Sequence, residues 1–238
     1  LARPGDIMDA GWFEGSELNY AAHLLRHEGE RAALVFCGEN GARRELTFDE
    51  LRAAVAAVAG GLRAAGVTRG DRVGGFLPNC PEAVIAMLAT TSIGATWSSC
   101  SPDFGVNGVV DRFGQIEPKV LFATDGYYYN GKRIDSRPVV AGIADAIPSI
   151  RTIVVAPFLG DGEGPAEGQV GLVHGPHNAL GQRWIVCQRR DKGLDAHILD
   201  DQGHDRRARP DGVYHAALAQ LAGLASIVRS VGLYGPVA

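Results

Sequence analysis

Several things are scarce in this 238-residue chain, and each scarcity excludes something. Aromatic residues make up 7%, and no phenylalanine follows Phe158, so the last third has few large groups to bury. No apolar run approaches the roughly 20 residues that a membrane-spanning helix needs, which argues against a membrane partner. No charge of one sign dominates: the net charge is −4, against broad binding of nucleic acid or a membrane surface. Cys37, Cys80, Cys100 and Cys187 form no C-x-x-C pair, and the reading they favour is a reduced, cytoplasmic interior. The opening "LARPGDIMDA" has neither the basic end nor the apolar middle of a signal peptide. It starts at Leu1 rather than Met, and is read as part of a longer protein.

What is present is an alternation of two periods. "AALVFC" (32–37) reads as a strand, followed by a "GENG" turn. Thr47 and Glu50 have the spacing of a capping box. Phe48, Leu51, Val55, Val58 and Leu62 then recur every three or four residues, which predicts an amphipathic helix to about Gly66. Strands are expected at "RVGGFL" (72–77), "ATWSSC" (95–100), "KVLFAT" (119–124) and "TIVVAP" (152–157). Helices are expected at "PEAVIAMLATTSI" (81–93), "VNGVVDRFGQI" (106–116) and "PVVAGIADAI" (138–147). Strands that are apolar throughout and separated by helices imply an α/β fold, a parallel sheet with helices on both faces. Ligands of such sheets collect at the carboxyl ends of the strands, which singles out the loops at 78–81, 101–105 and 125–133. From residue 158 to 238 no period is evident apart from a candidate helix in "VYHAALAQLAGLASIV" (213–228), and this part is expected to be an irregular tail. The organisation expected is therefore 1–157 as an α/β domain and 158–238 as tail.

The candidates for chemistry are few. "DGYYYNGKRID" (125–135) spells G-x-x-x-x-G-K, but Arg133 stands where a phosphate-binding loop needs a hydroxyl for its metal, and three tyrosines stiffen the backbone. Lys132 and Arg133 are then either an anion contact at a strand's carboxyl end or an ordinary solvated turn. His174 and His177 have the spacing of a metal pair without a third ligand. Cys100 is either a nucleophile without a nearby histidine or a buried thiol. Nothing in the spacing of Asp103, Asp111 and Glu117 pairs them. By residue chemistry alone the chain is an α/β domain with a candidate anion site and no identified reaction.

The stretch "WSSCSPDFGVNGVVDRFGQIEPKVLFATDGYYYNGKRID" (97–135) resembles the acetoacetate–CoA ligases, a branch of the AMP-forming acyl-CoA synthetases. "WFEGSELNYAAHLLR", "GDRVGGFLPNCPEAVIAMLATTSIGA" and "IVVAPFLGD" are similar to the same family in the same order, so the likeness runs over about residues 11–161. The resemblance implies part of the large N-terminal domain of an adenylate-forming enzyme. It also implies ATP, CoA and Mg2+ as cofactors and acetoacetate as substrate. Matching by position puts Tyr129 and Lys132 where related acetyl-CoA synthetases contact the phosphorylated nucleotide of CoA, with Tyr129 replacing a basic residue. The family's Y-S-S-G-T-T-G-x-P-K loop and its C-terminal lysine domain are absent from these residues, so the chain by itself is expected to be an inactive fragment. The alternatives are a CoA- or nucleotide-binding module without catalysis, and a gene fragment that folds poorly. "GHDRRAR" (203–209) has a codon choice that yields G-T-T-G-A-P when read one base later, and part of the tail is accordingly read as an out-of-frame stretch, the alternative being a disordered tail.

Overall fold

The computed structural model describes residues 10–159 together with the backbones of 174–177, 183–190 and 193–196. Helix α1 (Tyr20–Leu24) starts at Asn19, whose side chain accepts from the Ala22 N–H and donates to the Ser92 carbonyl at 3.0 Å. Strands β1 (Ala32–Cys37) and β2 (Arg43–Thr47) pair antiparallel as a separate two-stranded sheet. The expectation that "AALVFC" belongs to the parallel alternation is thereby corrected. The turn after it returns the chain at once along its own edge, and no crossover helix intervenes.

Helix α2 (Phe48–Ala64) begins with the expected capping box. The Thr47 hydroxyl accepts from the Glu50 N–H at 3.2 Å, and the Glu50 carboxylate accepts from the Thr47 N–H at 2.8 Å. The alternation then proceeds through β3 (Arg72–Phe76), α3 (Pro81–Ser92), β4 (Thr96–Cys100), α4 (Val106–Ile116) and β5 (Val120–Thr124). A second hairpin follows, β6 (Gly126–Tyr129) and β7 (Lys132–Asp135), then α5 (Arg137–Ala146) and β8 (Thr152–Ala156). Among the described residues no helix is long and apolar enough to cross a membrane.

The main sheet runs β4-β3-β5-β8, all parallel, and is extended antiparallel by β10 (Arg183–Arg190) beside β8. Strands β9 (His174–His177) and β11 (Gly193–Ala196) pair with β10. Three strands thus lie within the segment that reads as an irregular tail. The apolar run "WIVC" in β10 is too short to stand out beside the surrounding charges, and its pairing partner β8 is some thirty residues away. The candidate helix at 213–228 and the "GHDRRAR" stretch lie outside the described residues.

Alternation along β5 shows why both faces carry helices. Val120 and Phe122 pack into the core beneath α2 and α3, with Leu62 and Ile85. Leu121 and Ala123 pack into the opposite core with Phe113 of α4 and Ile143 of α5. A strand whose successive side chains enter two different cores must be apolar at every position, and β5 is buried throughout. From β3 the chain steps outward to β4, then crosses back over β3 to reach β5. That reversal opens a crevice at the carboxyl ends of these strands.

Candidate functional site

The loops leaving β3, β4 and β5 enclose one cavity of about 300 Å³. Leu77, Pro78 and Asn79 form its wall from β3, Ser99 to Asp103 its wall from β4, and Tyr127 to Tyr129 the side supplied by β6. All three loops singled out by the strand-end rule therefore meet here.

The third side is not a loop, as the sequence suggests, but the β6–β7 hairpin. Tyr129 faces Lys132 across a two-residue connection, Asn130 and Gly131, with φ of 50° and 70°. Two successive positive φ values suit Asn-Gly, and the resulting turn twists in the same sense as the strands. This geometry does not make a backbone cradle of the phosphate-loop type, since successive N–H groups along β6 and β7 alternate in direction instead of converging on one point. Asn-Gly between a tyrosine run and "KRI" was the local signal for this hairpin.

Pairing decides which residues act together. Directly opposed residues of an antiparallel pair share a face, so Tyr129 and Lys132 stand side by side, while Arg133 points to the other face with Tyr128. The basic pair is thus split. Arg133 acts on Asp135, whose carboxyl is held below its usual range chiefly by a hydrogen bond from Arg137 and in smaller part by the Arg133 charge. Tyr129 lines the cavity and is 61% exposed. Lys132 is exposed beside it, and its ammonium makes no hydrogen bond or ion pair among the described residues.

Inside the cavity, Tyr127 has its phenol pushed up by burial, then by the negative charge of Asp103 and by Tyr129. Asp103 therefore belongs to the site. Asp111 lies along α4 and Glu117 caps its far end, at the amino end of the sheet, so these three carboxylates do not converge. Cys100 is buried in the cavity wall; burial raises its thiol, and the Arg112 charge offsets this only in part. The neighbouring Cys80 is pushed up to about 12, by burial first and the Glu82 charge second. Burial disfavours the thiolate at both, which weighs against a cysteine nucleophile. His174 and His177 begin and end β9.

What the sequence did not point to is the support beneath the hairpin. Phe158 packs at a tilt near Tyr128 (6.3 Å between ring centroids) and edge-on to Phe36 of β1 (6.0 Å), so the exit of β8 touches both hairpins. Arg44 of β2 reaches Glu82 at 2.6 Å, on a carboxylate only 4% exposed at the start of α3. These partners are tens of residues apart and leave no local pattern.

Comparison with known proteins gives a consistent result. A family model described as AMP-binding enzyme matches residues 21–177. The acetoacetyl-coenzyme A synthetase of Rhizobium meliloti (strain 1021) is 49% identical over 155 residues, covering 65% of this chain and 24% of that protein. The acetoacetyl-CoA synthetase of Macaca fascicularis is 49% identical over 156 residues, 64% of this chain and 23% of its own length. Among solved structures, acetoacetyl-CoA synthetase from Streptomyces lividans superposes with a TM-score of 0.61 at 41% identity, over 75% of this chain and 31% of that one. The chain spans about a quarter of the length of the curated relatives it matches.

Proposed function

This chain belongs to the AMP-binding enzyme family, and from that premise we propose that it carries part of an acetoacetate–CoA ligase, the part that holds the nucleotide end of CoA. In the whole enzyme the acetoacetate carboxylate attacks the α-phosphorus of ATP, giving acetoacetyl-AMP and pyrophosphate. The sulfur of CoA then attacks the acyl carbon, its proton is lost, and AMP leaves. The observation that carries the reading is the hairpin. It sets Tyr129 and Lys132 on one face, beside a cavity at the strands' carboxyl ends where such sheets bind ligands.

The residues present fit the CoA nucleotide. Lys132 offers an uncommitted ammonium for a phosphate, Tyr129 offers a ring and a hydroxyl, and Asn79, Ser101 and Asp103 line the cavity with polar groups. Tethering the nucleotide contributes by orientation, since a thiol held near the acyl carbon reacts as if at very high local concentration. Among the described residues no group of three or more His, Cys, Asp or Glu gathers as a ready-made metal site, and magnesium would be held by one or two carboxylates together with the substrate phosphates. No step is assigned to it. Acetoacetate as the acid rests on likeness, since a malonamoyl-CoA synthetase of Penicillium aethiopicum is also 39% identical over 150 residues. Three free cysteines among the described residues, Cys37, Cys80 and Cys100, are in keeping with a cytoplasmic setting.

A CoA- or nucleotide-binding module without catalysis is the second reading, and it rests on the same hairpin and cavity. Calorimetry on the full 238-residue chain tests the phosphate contact. CoA is expected to bind more tightly than 3′-dephospho-CoA, and Lys132→Ala to erase the difference. Equal affinities in the wild type sink the assignment. Release of AMP from ATP, acetoacetate and CoA by this chain alone overturns the second reading.

A further inference from the structure

Asp125 occupies the root of the hairpin that carries Tyr129 and Lys132. Its Oδ1 accepts the N–H groups of Phe158 at 2.7 Å and Leu159 at 3.1 Å, just beyond β8. Its main-chain carbonyl accepts the Ser136 N–H at 3.0 Å, where β7 hands over to α5. One residue therefore grips the start of β6, the end of β7 and the exit of β8. The adjoining Gly126 closes the same joint, because a Cβ there would collide with the Ile134 carbonyl oxygen and the Leu159 side chain. Phe158 then packs near the Tyr128 ring.

We propose that Asp125 is the positioning residue of this site, fixing the hairpin so that Lys132 meets its ligand's phosphate. The inference rests on the reading of Lys132 as a phosphate contact. Leverage gives it weight. At about 3.3 Å per residue the tip lies roughly 13 Å from the root, so a tilt of about 10° moves the Lys132 end by roughly 2 Å. A direct hydrogen bond does not survive that displacement. A carboxylate suits the joint because one oxygen accepts two N–H groups that would otherwise lack an acceptor, and charged acceptors make the stronger bonds.

Two variants of the full chain, Asp125→Ala and Asp125→Asn, provide the test, with two measurements on each. In Asp125→Ala the preference for CoA over 3′-dephospho-CoA falls to the Lys132→Ala level, while affinity for 3′-dephospho-CoA changes little. Amide exchange in residues 126–135 accelerates by about tenfold or more, with β3 and β5 protected as before. Asp125→Asn keeps an oxygen acceptor and restores most of both. A hairpin whose exchange is unchanged in Asp125→Ala, or a CoA preference that survives, overturns the inference. A wild-type chain that fails to separate the two ligands refutes the phosphate contact instead, and hairpin exchange still decides the anchor.

Discussion

Two lysines, one at the amino end of the main sheet and one on the hairpin beyond its carboxyl end, show how differently one side chain is used. Lys119 precedes β5 at the amino end, and its ammonium is 2.7 Å from the Asp71 carboxylate ahead of β3. Asp71 is further held by the N–H and hydroxyl of Thr68 at 2.8 and 2.9 Å. Arg72 donates to the Ile116 carbonyl at 2.6 Å, and main-chain bonds join Thr96 to Asp71 and Arg151 to Lys119 at 2.8 Å. At that end charged groups are closed on neighbours. At the carboxyl end, Lys132 stands beside a cavity with no such closure among the described residues. The amino end spends its polar groups on holding strands in place, and the carboxyl end leaves some facing a cavity.

The largest effect expected from disturbing this contrast lies at the joint of the ligand end. Gly126→Ala puts a Cβ against a main-chain oxygen that cannot rotate away. Overpacking of this kind costs about 1–3 kcal/mol, and chemical denaturation should show it as a lower midpoint with an unchanged slope. A midpoint equal to the wild type would mean that the joint is slack, and the ends would then differ less than their geometry says.

The two ends also differ in how far the sequence exposes them. Helices α2 to α5, the capping box of α2 and the four parallel strands follow from local signals: the Thr47–Glu50 spacing, Pro81 at the first turn of α3, and the all-apolar "VLFAT" of β5. The strand-end rule singled out the three loops whose residues line the cavity. What stayed hidden depends on pairings distant in sequence. Asp125 and Phe158 are 33 residues apart, and Arg44 and Glu82 are 38 apart. The split of Lys132 from Arg133 follows only once "NG" is read as the turn of a hairpin, because adjacent residues on a strand take opposite faces. "AALVFC" misled for a related reason: an apolar run does not reveal whether its partner is parallel or folds straight back.

A smaller effect is expected at the amino end, and it has a pH signature. Asp71 is held from an ordinary 3.8 down to about 2, first by the hydrogen bond from Lys119 and then by Thr68. A carboxyl lowered in the folded state stabilises the fold in full above its unfolded pKa, and the contribution disappears as pH falls through the folded value. Lys119→Met should therefore cost about 0.5–1 kcal/mol at neutral pH, the modest figure suiting an ion pair whose lysine is 45% exposed. The gap from the wild type should narrow between about pH 4 and 2. A gap that stays constant across that window would show that the pair contributes packing rather than charge.

The smallest stability effect is expected from Lys132→Ala, and this sharpens the comparison most. An exposed lysine without partners among the described residues should change unfolding free energy by no more than about 0.5 kcal/mol. Its ligand effect should be larger: loss of one charge-assisted contact corresponds to roughly a tenfold weaker affinity for CoA, growing as salt is lowered. Lys119→Met should do the reverse, lowering stability while leaving CoA affinity intact. Urea titration and calorimetry on both variants read the two axes independently. If Lys132→Ala costs as much stability as Lys119→Met and leaves CoA affinity unchanged, the carboxyl-end lysine is structural too. The hairpin would then be a brace for the end of the sheet, and the cavity would have to hold its ligand through Asn79, Ser101 and Asp103.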